Sequence, residues 1–347
     1  MSFKQELPPS RYLLWAAAAC LSFLVFVGSA LVYADKQGRL APPPLTGNMC
    51  LDEKARLVRA LASEGCDVLV AGSSMALNNI ASEPLVQQLP RGARLLNIGA
   101  WGMKISETRE WIEHVRAITK PTYIVLVVGP MDFYSGYANS QNTFQEDVRG
   151  FLRGAPYALY IARHFDIVYY LSSYFSIDRA RRNRDHYQSL AFDAWGGLPL
   201  NVHYPAVDPV RWNQKVVPEL FNDAQYNELR LLASTLRKAG VTLYCVQPPL
   251  RKSSIAPGTR PEVESHWNRI ARILAEEGQQ FLNLHNELEL DDAFYADYSH
   301  LNARGATIFT NAFAQKVRFE QARIFAPTID SSHITRATSR RAGALLP

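Results

Sequence analysis

The sequence predicts a three-layer α/β domain on a parallel sheet, preceded by one apolar segment long enough to cross a membrane. Three observations carry this reading. Five short apolar runs, at 67–71, 93–98, 123–128, 241–246 and 281–284, have the length and composition of buried strands. Amphipathic stretches at 106–119, 223–239 and 261–277 alternate with them at helical spacing. Such alternation closes into a parallel sheet with right-handed crossovers, whose ligands bind at the carboxyl ends of the strands. Finally, no charged residue lies between Arg11 and Asp35, a run of 23 residues where about 20 suffice to span a bilayer as a helix.

That run divides the N-terminal region into a short cytoplasmic leader (1–11), a transmembrane helix (12–34) and a linker (35–50). Within the linker, residues 37–48 with Pro42-Pro43-Pro44 read as a stiff, extended spacer that lifts the domain off the membrane. A cleaved signal peptide is the rival reading, because Val32-Tyr33-Ala34 resembles a small-residue cleavage site, although a signal's apolar core usually has only about 7–15 residues. Lys4 and Arg11 before the span nearly balance Lys36 and Arg39 after it. The short leader ahead of a large domain favours export, which places the protein in the cytoplasmic membrane as a single-pass chain with its domain facing the periplasm or cell exterior.

The 347 residues are 48% hydrophobic and 20% charged, a globular composition. The net charge of +5 is spread along the chain without nucleic-acid recognition motifs, so no nucleic-acid partner is expected. Residues 51–64 read as a helix with Leu57, Val58 and Leu61 on one face and Lys54, Arg56 and Arg59 elsewhere. It separates Cys50 from Cys66 by roughly 20 Å, beyond disulfide reach. Cys20 and Cys245 complete a set too scattered for a disulfide framework or zinc site. His164, His186, His203 and His333 lack metal-ligand spacing and read as surface or packing histidines. No Walker or dinucleotide glycine pattern occurs, so neither cofactor nor metal is expected.

The domain extends over 51–320 and carries an insert at 133–212, far longer than an ordinary loop. Residues 151–175 read as helical and apolar on one side, followed by Arg179, Arg181, Arg182 and Arg184. The insert is expected to cap the strand ends, its basic run being either a solvated turn or a contact for anionic lipid or acidic glycan. The remaining 321–347, with Arg336, Arg340 and Arg341, read as an irregular basic tail.

Four segments follow the carboxyl ends of predicted strands: Gly72-Ser73-Ser74-Met75, Asn97 through Gly102, Gly129-Pro130-Met131-Asp132, and Asp297-Tyr298-Ser299-His300-Leu301-Asn302. Each alone is weak, since Gly-Ser-Ser after a strand is commonly a turn with a helix cap. Their convergence on one sheet edge suits nucleophilic catalysis. A serine hydroxyl needs a base to remove its proton, and a carboxylate must hold that imidazole in the right tautomer. Ser74, His300 and Asp297 can fill those places. The N–H of Ser74 at a helix start and that of Gly102 in a glycine turn are suited to an oxyanion hole. Asp132 reads as a loop stiffener, and His285 as a structural hydrogen-bonding residue near the site.

At these residues the chain resembles the SGNH/GDSL superfamily of serine hydrolases and acyltransferases. The resemblance spans about 66–315 without the insert and implies a flavodoxin-like sheet of order 2-1-3-4-5. It makes Ser74 the nucleophile, puts Ser73 where the family usually has Asp, and matches Asn97 through Gly102 and Asp297-x-x-His300 to further blocks. The run through Leu301-Asn302-x-x-Gly305 is similar to membrane-anchored members acting on cell-envelope polymers. One block departs: Met131 stands where the family places a donor Asn, and between Pro130 and Phe133 it reads as part of a packed apolar turn.

The expected activity is therefore ester hydrolysis or O-acyl transfer through a Ser74 acyl-enzyme, with acetyl groups of an extracytoplasmic polysaccharide as the implied substrate. The resemblance implies a multi-span membrane acyltransferase as partner. The alternative is a decayed SGNH-like scaffold that binds glycan or such a partner.

Overall fold

The computed structural model describes residues 9–135, 146–317 and 319. Residues 1–8 of the expected leader and the expected basic tail at 321–347, with His333 and its arginines, lie outside them, as do residues 136–145 of the insert.

Five strands, β1 (Val68–Gly72), β2 (Leu95–Asn97), β3 (Tyr123–Val127), β4 (Thr242–Gln247) and β5 (Gln280–Asn283), form one parallel sheet in the order β2-β1-β3-β4-β5. The α/β class and the strand order are those expected. Their side chains alternate between two cores. Leu69, Ala71, Ile124 and Leu126 enter one, with the helices Met49–Leu61, Ile105–Thr119 and Asp223–Lys238. Val68, Val70, Val125 and Val127 enter the other, with Ser82–Gln88 and Ala303–Lys316.

Three of these helices begin where an asparagine side chain satisfies orphan N–H groups. Asn48 accepts from Cys50 and Leu51, Asn222 from Ala224, and Asn302 from Gly305. The N-terminal helix Pro9–Lys36 is long and apolar enough to cross a membrane by length and composition, and none of its most apolar window is buried.

Three expectations are corrected. Residues 37–48 do not stand away from the domain as a spacer. Leu40 and Ala41 are buried in the core shared with Met49–Leu61, Tyr169 donates to Pro42 O at 2.9 Å, and Arg181 donates to Gly38 and Leu40 carbonyls. Apolar proline-rich chain gains more by covering that core than by standing in water.

The helical stretch expected at 151–175 is broken into Glu146–Leu152, Tyr157–Arg163 and Ile167–Tyr174. Gly154 turns at φ 94°, Pro156 precedes the second piece, and Asp166 caps the third by accepting from Tyr169 N at 3.0 Å. These pieces pack toward Met49–Leu61, where Arg59 donates to Phe151 and Ala155 carbonyls, and among the described residues of the insert it is the later part, with Tyr187, Gln188 and Arg211, that lines the cavity at the strand ends. Within the expected basic run, Arg181 is paired with Glu53 at 2.9 Å and Arg184 donates to Ala191 O at 3.0 Å, which makes both structural.

Lys54, expected away from the apolar face of its helix, is fully buried. Its ammonium donates to Asn97 O at 3.1 Å and to Gly196 O, and lies 3.9 Å from the centre of the Phe192 ring. One amine thereby joins the end of β2 to the insert. Gly196, at φ 92°, lies so close to β2 that a Cβ would stand 2.3 Å from Asn97 O.

Burial lowers the Lys54 pKa from 10.5 to about 8. The unfolded chain thus binds the extra proton between those values, and stability must rise with pH across the window from pH 8 to 10.5. We expect the unfolding free energy of the wild type, minus that of Lys54→Met, to rise by about 3 kcal/mol across it. Urea titrations of both proteins at successive pH values check this; a flat difference defeats it.

Candidate active site

The site forms where β1, β2 and β3 end. Gly72 closes β1 at φ 142°, and a Cβ there would stand 2.3 Å from Val127 O, so only glycine lets β1 turn so close to β3. Ser73 then caps the short helix Ser74–Asn79, its Oγ accepting from Met75 N at 3.2 Å. The cap leaves Ser74 as the first helical residue, half-buried, with its side chain in a cavity of about 470 Å³.

Asn97, at the end of β2, explains the next block. Its amide donates to Ala76 O at 2.9 Å and its oxygen accepts from Gly99 N at 2.9 Å, tying the β2 loop to the Ser74 helix. Gly99 permits this approach, since a Cβ would come within 2.6 Å of Leu77 N. The loop then carries Gly102, at φ 69°, to the cavity rim. Among the described residues neither the Ser74 nor the Gly102 N–H has a protein acceptor. Both are thus available to a ligand.

Asp297 and His300 come from a tight hairpin after β5. Asp297 Oδ1 accepts from Ser299 N at 2.9 Å and His300 N at 2.7 Å, while Ala296 N donates back to His300 O at 2.8 Å. The other oxygen, Oδ2, lies 2.8 Å from His300 Nδ1, and His300 Nε2 lies 2.8 Å from Ser74 Oγ. Asp297 is fully buried; desolvation alone would raise its pKa, yet the imidazole and the main-chain donors hold it below the usual carboxylate range. A carboxylate can only accept, so the shared proton sits on Nδ1 and Nε2 is free to accept from Ser74 Oγ–H. The structure thus brings Ser74, Asp297 and His300 into one relay, with Gly102 at the same cavity.

The hairpin is pinned to the helix that begins at Ser74. Asn79 Oδ1 accepts from Leu301 N at 2.8 Å, and its amide approaches Ser299 O at 3.4 Å. Asn302 donates to Ala293 O at 2.8 Å while capping the last helix, and Gly305 lets that helix approach Phe294 O, which a Cβ would meet at 2.3 Å.

The turn after β3 supplies the opposite wall. Asp132 Oδ2 accepts from Gly129 N at 2.8 Å, as expected of a loop stiffener. Its burial raises its pKa to about 6 against donors at Gly129 and Ser73. Pro130 and Phe133 are buried, as in a packed apolar turn, but Met131 between them is not part of that packing. It lines the cavity, where its sulfur accepts from the Tyr298 hydroxyl and approaches the Gln214 amide at 3.8 Å. Lys104 donates to Met131 O at 2.7 Å, joining the Gly102 loop to this wall.

Several lining residues had no signal in the sequence. The insert contributes Tyr187, whose hydroxyl donates to Ala296 O, and Arg211, whose guanidinium lies 3.9 Å from Asp297 Oδ2 and over the Tyr187 ring. Asn78 is buried in the cavity wall, one helical turn beyond Ser74. His285 stays outside it: its Nδ1 accepts from Leu250 N at 3.0 Å, and burial lowers its pKa to about 4. His164 pairs with Asp147 at 3.1 Å in the insert.

No protein-family model matches the chain, and no curated protein matches it. Among solved structures, an acetylxylan esterase from Geobacillus stearothermophilus aligns at 13% identity over 75% of this chain and 98% of its own, with a TM-score of 0.39. A lipase/acylhydrolase from Enterococcus faecalis aligns at 12% identity over 74% of this chain and 100% of its own, with a TM-score of 0.35.

The hairpin's attachment generates a stability prediction. Asn79→Ala leaves the buried Leu301 N–H without its acceptor, so the protein should lose about 1–3 kcal/mol. Urea unfolding of the variant measures that loss, and an unchanged midpoint would show that the hairpin does not depend on Asn79.

Proposed function

We propose that the protein cleaves or transfers ester-linked acyl groups through a covalent intermediate on Ser74. The observation that carries this reading is the unbroken relay from Ser74 Oγ through His300 to the buried Asp297 carboxylate, with both links at 2.8 Å. Such an arrangement activates a hydroxyl that is otherwise a poor nucleophile.

In the reaction, Ser74 Oγ attacks the ester carbonyl carbon as its proton passes to His300 Nε2. Asp297 steadies the imidazolium that results. The carbonyl oxygen becomes an oxyanion facing the N–H groups of Ser74 and Gly102. Collapse breaks the bond to the leaving alkoxide, which takes the proton from His300, and leaves the acyl group on Ser74. A water or an acceptor hydroxyl then attacks that acyl group as its proton passes to His300, and collapse breaks the acyl–Oγ bond while His300 returns the proton to Ser74 Oγ, yielding an acid or a new ester.

The helix Pro9–Lys36 supports a further element of the proposal, that the enzyme is anchored in the cytoplasmic membrane with its site outside. As substrate we assign acetyl esters of an extracytoplasmic polysaccharide, the class that the resemblance at Leu301-Asn302-x-x-Gly305 implies.

Labelling of the detergent-solubilised protein with a fluorophosphonate tests the nucleophile. Ser74→Ala and His300→Ala should each abolish labelling, and Asp297→Asn should reduce it severely because the imidazole loses its orienting carboxylate. Ser73→Ala should label nearly as well as wild type while losing about 1 kcal/mol of stability with its cap. Labelling that survives in Ser74→Ala and vanishes in Ser73→Ala would move the nucleophile by one residue.

Met131 gives a second test. A thioether cannot donate, and one oxyanion donor is typically worth about 100- to 1000-fold in turnover. Because Met131 faces the cavity rather than the core, an asparagine there need not bury an unpaired amide. Met131→Asn should therefore raise turnover on a small activated ester, by about tenfold or more, with little change in melting temperature. A slower or markedly destabilised variant would mean that the sulfur's contact with Tyr298 matters more than an added donor.

A further inference from the structure

The two helices Tyr157–Arg163 and Ile167–Tyr174 are apolar on both sides. Their inward residues Tyr160, Ile161 and Tyr170 join the core. Their outward residues Leu159, Phe165, Ile167, Val168, Leu171 and, just beyond, Phe175 are exposed, with Val168 at 72%, Leu171 at 64% and Phe175 at 83%. Six large apolar side chains exposed within residues 159–175 are uncommon on a surface that meets only water.

Its location tells what covers it. The patch adjoins the end of the N-terminal helix rather than the catalytic cavity. Tyr169, from the same helix as Val168, donates to Pro42 O at 2.9 Å, and Arg39 stands 5.5 Å from the centre of the Tyr174 ring. The N-terminal helix itself loses exposure along one stripe, Val27, Leu31 and Ala34, and Leu31 and Ala34 pack in the core cluster that holds Tyr160, Ile161 and Tyr170. The other faces of that helix stay exposed, as at Phe26 and Val32.

Val27 lies nine residues before the helix end at Lys36, about 14 Å along the axis at 1.5 Å per residue. If this helix spans a bilayer, the domain therefore reaches the depth of its last turns, where headgroups meet acyl chains. Lys36 and Arg39 stand at the same end, the charge that suits anionic headgroups.

We propose that the outward face of Tyr157–Arg163 and Ile167–Tyr174 inserts into the interfacial layer of the bilayer, as a second membrane contact beside the N-terminal helix. The occupant is lipid. Such a face binds in the plane of the interface through buried apolar area plus attraction to anionic headgroups.

The test uses the full chain in vesicles of phosphatidylcholine and phosphatidylglycerol. Cys20, exposed on the N-terminal helix, is replaced by serine; Cys50, Cys66 and Cys245 are buried and shielded from reagent. Single cysteines at Val168→Cys and Leu171→Cys, and at Ile308→Cys on the opposite layer of the domain, are labelled with an environment-sensitive fluorophore. The native Cys20, labelled in the unsubstituted chain, reports whether the helix itself is inserted. Doxyl-labelled lipid should quench the probes at 20, 168 and 171 by about twofold or more and leave 308 unchanged, while aqueous iodide should do the reverse.

Quenching at 20 with iodide-accessible probes at 168 and 171 overturns the proposal while leaving the anchor intact. No lipid quenching at 20 overturns both. Shielding of 168 and 171 in native membranes but not in lipid-only vesicles assigns the patch to a membrane protein instead and equally defeats the lipid assignment. None of these outcomes bears on fluorophosphonate labelling of Ser74, so failure here and failure of the acyl-enzyme reading are distinguishable.

Discussion

A carboxylate that must remain charged without touching water organises this site. Asp297 is fully buried, and an isolated charge in such a place would cost several kilocalories per mole unless paired and hydrogen-bonded. The hairpin answers that demand first, by bending two of its own N–H groups onto Oδ1, and the same bend brings the His300 ring onto Oδ2. The geometry that satisfies the carboxylate is therefore the geometry that orients the imidazole. Three contacts keep the hairpin in register with Ser74: Asn79 from the helix that begins at Ser74, Asn302 at the base, and Tyr187 from the insert on Ala296 O.

Much of this was legible because the constraints are local. Strand–helix alternation gave the parallel sheet within a residue or two at most ends, since short continuous apolar runs set between amphipathic stretches of period 3.6 mark strands buried on both faces. The glycines and asparagines at 72, 97, 99, 302 and 305 mark close backbone approaches and caps, and these have sequence signatures because few residues can replace them. The three-residue spacing of Asp297 and His300 is weak by itself and gains meaning only beside the other segments at the strand ends; their meeting with Ser74 across 226 residues is a fact of topology.

What stayed hidden depends on long-range packing. Nothing near Lys54 distinguishes it from Arg56 or Arg59 on the same helix; only the carbonyls of Asn97 and Gly196 and the Phe192 ring, brought together by the fold, make its burial tolerable. Arg211 and Tyr187 come from the part of the insert beyond its expected helical stretch, where no motif marks them. Met131 was read from its neighbours, and the neighbours do pack, but a side chain between two buried residues of a tight turn points the other way. The proline-rich stretch misled for a related reason: composition describes a free chain, whereas residues 40 and 41 found an apolar surface to cover.

The folding of residues 37–48 onto the domain has a mechanical consequence. A flexible tether lets a globular head swing through a wide volume and meet partners at many heights and angles. Here the head is bolted to its stalk by Arg56 on Asp35, Arg181 on the Gly38 and Leu40 carbonyls, and Tyr169 on Pro42. Its angular freedom is traded for a single pose. With the stalk in a bilayer, the cavity mouth would keep one bearing and one altitude above the lipid, so access would be governed by what is delivered to that spot, and lengthening the stretch would change timing and aim together.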